Sequence, residues 1–319
     1  MLSPMRAIEA RRPGGVEVLE LVERAVPEPG PGQYLVRVSA AGVNPIDWKL
    51  RLGRVGPLKA RFPWVPGCEL CGAVERAGVG ATRFAAGDRI LGFTDPGAGG
   101  ATAQFALLDD AAAERAPEGL TDEEAAGLAV TGLTALQALR TLADVRAGQS
   151  VLVNGAAGGV GHLGVQIARA LGARVTAVTG PENVAWAAAL GAERVVDRSG
   201  LDFRRDPARY DVILDASGRV SFFACRRALA PGGVHVTTVP SPSAAVARAA
   251  APLFLRRARF VILRPAPGDL AFLVQLAAGG RVRVAVDHVY AMAETGAAHM
   301  RSESGRVRGK IIVRIGGAP

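Results

Sequence analysis

With 319 residues, 49% of them hydrophobic, the chain is long enough for two domains with ordinary buried cores. Its net charge of +9 comes from scattered arginines, with small clusters such as Arg256, Arg257 and Arg259 and no basic tail, which argues against a nucleic-acid surface. The odd count of three cysteines excludes a fully paired disulfide framework, no apolar run reaches the roughly 18 residues of a membrane helix, and the opening "MLSPMRAIEA" lacks a signal-peptide core, so a soluble cytoplasmic protein is expected.

The first third carries short β-like runs punctuated by Gly and Pro. "VEVLELVE", "QYLVRVSAAGV", "CGAVERAGV" and "DRILGF" read as strands, separated by "PEPGPGQ" and "FAAGD", and predict a β-rich, barrel-like domain. Around Leu120 the texture changes: "LTDEEAAGLAVTGLTALQALRTL" is helical, with Thr121 as N-cap and acids in the first turn. "SVLVNG" and "RVTAVT" then flank a helix over Val160–Leu171, and "RVVD", "YDVILDAS" and "GVHVTTV" follow as short apolar strands. Such runs interleaved with helices imply a parallel sheet covered on both faces. Beyond Arg264 come a helix over Asp269–Ala278, the strand-like "VRVAVDHVYAM", another helix and a final strand "GKIIVRI". These last strands are expected to return to the first domain, which then spans 1–120 and 265–319 around an α/β domain at 121–264.

The α/β domain opens on "VLVNGAAGGVGHLGVQIARALGA", where Gly155, Gly158 and Gly161 stand three residues apart between a strand and a helix. Glycines here allow a sharp turn, close approach of backbone N–H groups to a pyrophosphate and tight helix–strand packing, and the helix N-terminus presents unpaired donors to the anion. This context points to a dinucleotide. An NAD site usually places an acid roughly 20 residues beyond the glycines to hold the ribose 2′-OH. The corresponding strand ends at Val178-Thr179-Gly180, small and neutral, which leaves room for a 2′-phosphate and favours NADPH.

In chain order, "AAGVNPIDWKLRLG", "FPWVPGCELCGAVERAG", "FAAGDRILGF", "TGLTALQAL", "VLVNGAAGGVGHLGVQIARALGA", "LGAERVVD" and "SGRVRGKIIV" span nearly the whole length. Together they resemble the zinc-independent quinone oxidoreductase branch of the medium-chain dehydrogenase/reductase superfamily, in particular its chloroplast-envelope and mitochondrial members. The resemblance implies a Rossmann-type doubly wound parallel sheet plus a discontinuous, barrel-like GroES-like catalytic domain, with the cofactor in the cleft between them. It implies hydride transfer from NADPH to an electron-poor alkene conjugated to a carbonyl, or to a quinone. A small-molecule substrate and a homodimer joined through an edge strand at "RFVILRP" follow from it. Zinc-dependent relatives carry a Cys where this chain has Asn44, a Gly-His-Glu where it has Gly67-Cys68-Glu69, and a further Cys near Val130-Thr131, so no metal is expected.

Carried over residue by residue, Asn44 lies near the nicotinamide and the substrate carbonyl, or equally serves as a turn residue before Pro45. Asp47 holds a neighbouring side chain or caps a helix. Lys49, where many relatives have Tyr, either donates a proton from an apolar cleft with a lowered pKa or is a solvated loop lysine. Thr131 hydrogen-bonds near the nicotinamide ring or ribose. Gly158, Gly159, Val160 and Gly161 meet the pyrophosphate, and the backbone at Val239-Pro240 meets the nicotinamide amide. Around the adenosine, Thr179, Gly180 and Asn183 line the site. Arg198 replaces a base that relatives carry in the following loop, opposed by the like charge of Glu182. The substrate walls are expected from loops at 50–64, 93–100 and 241–254. The same hydride chemistry also serves reductive cyclisation or enoyl reduction in specialised metabolism, and one-electron quinone reduction is a further enzyme alternative. From another class, an RNA-associated or non-catalytic relative is opposed by the scattered charge and the intact glycine turn.

Overall fold

Alternation of apolar and polar residues sets the first elements of the computed structural model, which describes residues 3–56 and 58–316. β1 (Met5–Ala10) and β2 (Leu19–Arg24) pair antiparallel, Ile8 opposite Leu21. The expected strand "VEVLELVE" begins only at Leu19. Val16–Val18 is a 3-10 turn in which the Glu17 carboxylate accepts the Gly15 N–H at 2.8 Å, a local bond that competes with strand pairing. β3 (Gln33–Val43) is followed by α1 (Pro45–Arg51), β4 (Glu69–Ala77), β5 (Arg89–Phe93), β6 (Phe105–Asp109) and β7 (Ala113–Arg115). β3 pairs with β4 along one edge, and its first half takes β6 on the other.

Thr121 caps α2 (Asp122–Ala126) as expected: its hydroxyl accepts the Glu124 N–H, and the Glu124 carboxylate accepts the Thr121 N–H. The predicted long helix is broken. Gly127 ends α2, α3 (Ala129–Leu136) starts anew, and a π-helical turn over Gln137–Leu142 closes it. The parallel strands follow as β8 (Ser150–Asn154), α4 (Gly159–Ala170), β9 (Arg174–Thr179), α5 (Val184–Ala189), β10 (Arg194–Asp197), β11 (Tyr210–Asp215), α6 (Phe222–Cys225), β12 (Leu229–Thr237), α7 (Pro242–Ala250) and β13 (Arg257–Phe260). Their order is β10-β9-β8-β11-β12-β13, the doubly wound arrangement that binds ligands beyond the strand C-termini.

The edge strand expected at "RFVILRP" lies earlier, at Arg257–Phe260. β12 ends at Thr237 opposite Phe260, and the Thr238 N–H then turns to the Asp215 carbonyl, so residues beyond Val261 have no ladder to join. Likewise 241–254 is not a loop. Ser241 caps α7 through the Ala244 N–H, Pro242 stands in the first turn, and a 3-10 turn continues to Phe254.

The chain then returns through α8 (Pro267–Ala278), β14 (Val286–Ala291), α9 (Thr295–Glu303) and β15 (Lys310–Arg314). β15 pairs with the second half of β3, Ile311 opposite Val43. Two units result. One comprises the stretch up to Val130, Pro265–Ala278 and the stretch from Val284 on; the other comprises Thr131–Arg264 and Gly279–Arg283. The first is built on a core with Ile8, Tyr34, Val36, Leu70, Ile90 and Ile311, the second on one with Leu152, Val178, Ile213, Phe222 and Leu229. Each such buried side chain contributes roughly 1.5–3 kcal/mol. No helix among the described residues is long and apolar enough to cross a membrane.

Candidate functional site

In the first unit, strand register gathers charge that the sequence scatters. Glu69 opens β4 opposite Gly42, and Ile311, the residue after Lys310, faces Val43. Glu69, Asn44 and Lys310 therefore meet at one end of three adjacent strands. The Lys310 ammonium donates to Asn44 Oδ1 (2.7 Å), to the Val43 carbonyl (3.3 Å) and to Glu69 Oε1. Asn44 Nδ2 donates to the same Glu69 oxygen at 2.9 Å, and Glu69 Oε2 accepts the Val130 N–H at 2.7 Å. All three side chains are buried. A charge buried this deeply persists only when paired and hydrogen-bonded.

This network engages both ends of the Asn44 amide. That side chain does not cap α1. The cap runs the other way, with the Asn44 backbone N–H donating to Asp47 Oδ2 at 2.7 Å. Asp47 is fully buried, and its Oδ1 has no partner among the described residues. Desolvation pushes its carboxyl up to about 7, against the opposing pull of the Asn44 N–H and Lys310. Lys49 lies two residues further along α1, half-buried and with its ammonium over the Trp48 ring at 5.4 Å. Burial holds its pKa below the usual lysine range, and it has no carboxylate partner among the described residues. Pro57, within the expected 50–64 wall, lies outside the described residues.

In the second unit, the Gly155 and Ala156 N–H groups both donate to the Val178 carbonyl at 3.1 Å, which sets the glycine turn against the end of β9. Gly158 is the N-cap of α4 and supplies no side-chain cap. A Cβ at Gly158 would meet only the Gly155 carbonyl, at 3.6 Å, whereas one at Gly161 would fall 2.0 Å from it. Gly161 therefore allows helix and loop to pack, and Gly158 keeps space clear before the helix. Gly159 and Val160 lie in the first turn, whose N–H groups have no intrahelical acceptor. The turn, the open face and the uncapped twelve-residue helix fit a dinucleotide pyrophosphate.

Thr179 is buried at the end of β9, and its carbonyl accepts the Arg198 N–H at 2.9 Å. Arg198 is thus brought to the C-terminal end of β9, exposed and with no carboxylate partner among the described residues. Glu182 folds back over Gly180, where a Cβ would lie 2.6 Å from its carboxylate oxygens, and accepts from Asn183 Nδ2 at 3.0 Å. Thr179, Gly180, Asn183 and Arg198 therefore lie at the C-terminal end of β9, the neighbour of β8, which leads into the glycine turn. Val239 is not among them: it follows β12, three strands from β9, and packs over Gly218. Thr131 is buried in α3.

The residues at the positions where relatives hold zinc do not fit that ion. The Asn44 amide is engaged at both ends, and the Lys310 ammonium already supplies the cation beside Glu69. Burial, reinforced by the carboxyls of Asp47 and Glu69, pushes the Cys68 thiol well up, away from the thiolate a metal needs. Among the described residues no group of three His, Cys, Asp or Glu can hold a metal. Cys71 is likewise a buried neutral thiol, pushed up to about 12 mainly by burial.

Glu69 and Lys310 carry no role in the sequence reading. The available signal is a charge set inside an apolar run, in "CELCGAV" and "GKIIV", which demands a partner without naming it.

Residues 30–118 match the alcohol dehydrogenase GroES-like domain family, and residues 190–313 match the zinc-binding dehydrogenase family. The chain is 31% identical over 312 residues to the chloroplast envelope quinone oxidoreductase homolog of Arabidopsis thaliana, covering 94% of this chain and 95% of that one. Its fold is similar to the quinone oxidoreductase of Coxiella burnetii, with a TM-score of 0.91 at 30% identity over 98% of this chain and all of the other. It is also similar to a cobalt- and zinc-bound thermostable alcohol dehydrogenase of Pyrobaculum aerophilum, with a TM-score of 0.83 at 28% identity over 98% of this chain and 100% of that one. Sequence, sheet order and glycine turn agree: the chain belongs to the quinone oxidoreductase branch of the medium-chain dehydrogenase/reductase superfamily, a family of nicotinamide-dependent oxidoreductases.

Proposed function

We propose that the protein is an NADPH-dependent reductase of electron-poor alkenes conjugated to a carbonyl, or of quinones, working without a metal. The observation that carries this is the N-terminus of α4, uncapped and open in front of Gly158. Gly158, Gly159, Val160 and Gly161 hold the pyrophosphate there, and Arg198, unpaired beside the end of β9, takes the 2′-phosphate bidentately. Glu182, already engaged by Asn183, weakens but does not cancel that preference.

When bound, the cofactor supplies a hydride to the β-carbon of the substrate. The chain itself orients the substrate and excludes water. Lys49, half-buried and unpaired, holds a proton at Nζ for the substrate oxygen as charge develops. Asn44, clamped by Glu69 and Lys310, positions the turn from β3 into α1 that carries Lys49. The exposed edge of β13 and the exposed Leu253, Leu255 and Ile262 near it favour a homodimer through that edge.

The test is a panel of enones, enoyl thioesters and quinones with NADPH or NADH after chelator treatment, with Arg198→Ala alongside. Turnover that survives chelation, with NADPH preferred and the preference lost about tenfold or more in the variant, supports the proposal. Activity that requires added zinc, or no consumption of either cofactor, overturns it.

A further inference from the structure

Within the second unit a separate cavity of about 330 Å³ opens between β12–β13 and the α6–α7 layer, near the lower end of the roughly 300–1,000 Å³ typical of small-molecule pockets. Register builds its floor: His235 and Thr237 alternate onto one face of β12, with Ala258 opposite His235 on β13. Phe222 and Ala247 close the inner walls, and all five residues are buried. The Phe222 and His235 rings lie 6.4 Å apart.

His235 is 3% exposed, and its Nε2 has no hydrogen-bond partner among the described residues. Burial holds its pKa below the usual histidine range, against the opposing pull of Asp215 and the Val220 backbone. The ring is therefore neutral. A neutral imidazole can accept a hydrogen bond at Nε2, and a buried polar atom of this kind is normally satisfied. A cavity about ten times the roughly 30 Å³ share of a water molecule is more than that single atom needs.

The rim has the opposite character. Arg219 and Arg259 line it with the Ser221, Ser241 and Ser243 hydroxyls, and no acidic residue lines the cavity. Neither guanidinium has a carboxylate partner among the described residues. Arg259 donates to the Ala258 carbonyl at 3.0 Å, and Arg219 is exposed. Polarity thus runs from a cationic, hydroxyl-rich mouth through an aromatic and methyl-lined body to one deep acceptor.

We propose that this cavity binds a small single-ring organic acid, its carboxylate at Arg219 and Arg259 and a hydroxyl at its far end donating to His235 Nε2. The site is distinct from the glycine turn after β8 and stands whether or not the chain is a reductase. Val239 is common to this lining and to the expected nicotinamide contacts, and Ser241, Ser243, Ala244 and Ala247 to the expected 241–254 substrate wall, so binding is read without dinucleotide.

The probe is 3-(4-hydroxyphenyl)propanoate, compared with 3-phenylpropanoate, which lacks the hydroxyl, and 4-ethylphenol, which lacks the acid. The chain has only four histidines, so imidazole NMR signals report the floor directly. The His235 signals should move saturably with the hydroxy acid, and each analogue should bind about tenfold more weakly. His235→Leu should erase the advantage of the hydroxyl. Ala244→Leu, which fills the cavity from a half-buried wall position, should block binding should the first variant fail to fold. Unmoved His235 signals at millimolar probe, or equal affinity for the hydroxy and deoxy acids, would overturn the proposal and leave Nε2 to water.

Discussion

Replacing Lys310 with Met tests whether the buried network at the β3–β4–β15 end holds the first unit together. The Lys310 side chain is 1% exposed and that of Glu69 is fully buried. Methionine keeps the bulk of the stem but removes the ammonium. It leaves the Glu69 carboxylate with two neutral donors, Asn44 Nδ2 and the Val130 N–H, and no countercharge. Breaking a buried pair from one side costs about 3–5 kcal/mol, whereas removing both charges costs far less. Lys310→Met should therefore lose about 3–5 kcal/mol, and adding Glu69→Gln should recover about 2–3 kcal/mol of it. Urea unfolding followed by tryptophan fluorescence reports this unit when Trp186, the one tryptophan in the second unit, is replaced by Phe; Trp48 and Trp64 then give the signal. A loss below about 1 kcal/mol, or effects of the two substitutions that simply add, would refute the network as a cooperative unit.

Three further outcomes are expected. Asp47 binds its proton more tightly folded than unfolded, since its carboxyl is raised from 3.8 to about 7. The resulting stabilisation is complete below the unfolded value and is lost as pH rises through the folded one, by up to about 4 kcal/mol. Urea midpoints should fall between about pH 4 and about pH 7 for the native chain and hardly move for Asp47→Asn. Gly161→Ala puts a Cβ 2.0 Å from the Gly155 carbonyl, so the helix must withdraw from the turn; calorimetric titration should show NADPH affinity down at least about tenfold. Lys49→Met should lower turnover by about 10²–10⁴ with cofactor affinity unchanged, and the native rate should decline at a pH below the ordinary lysine range. Unchanged turnover would remove Lys49 from proton transfer.

What the sequence makes legible here is what lies close together along it. The Thr121 N-cap, the glycine turn between β8 and α4 and the alternating parallel strands are each written within a few residues, and each forms where expected. The pairing of Lys310 with Glu69 spans 241 positions and depends on which strands are neighbours, which no local pattern specifies. His235 sits unremarked inside "GVHVTTV" for the same reason: only the sheet register and the helices over it reveal that its Nε2 is left unpaired. Where short-range expectations fail, a nearby competitor explains it. Glu17 draws Gly15 into a turn at the head of "VEVLELVE", Gly127 interrupts the long helix, and the end of β12 denies "ILRP" a ladder to join. Arg198 and Glu182 are legible as opposed charges near the end of β9, but the engagement of Glu182 by Asn183 is not.

The central claim is that this chain delivers hydride to a conjugated alkene without a metal. The direct measurement is a single turnover of chelator-treated protein with NADPH carrying deuterium at the transferable nicotinamide C4 position and a simple enone, with mass and NMR analysis of the product. Deuterium at the β-carbon, with a solvent proton at the α-carbon, is the result predicted. Unlabelled product, or no product until zinc is restored, would contradict it.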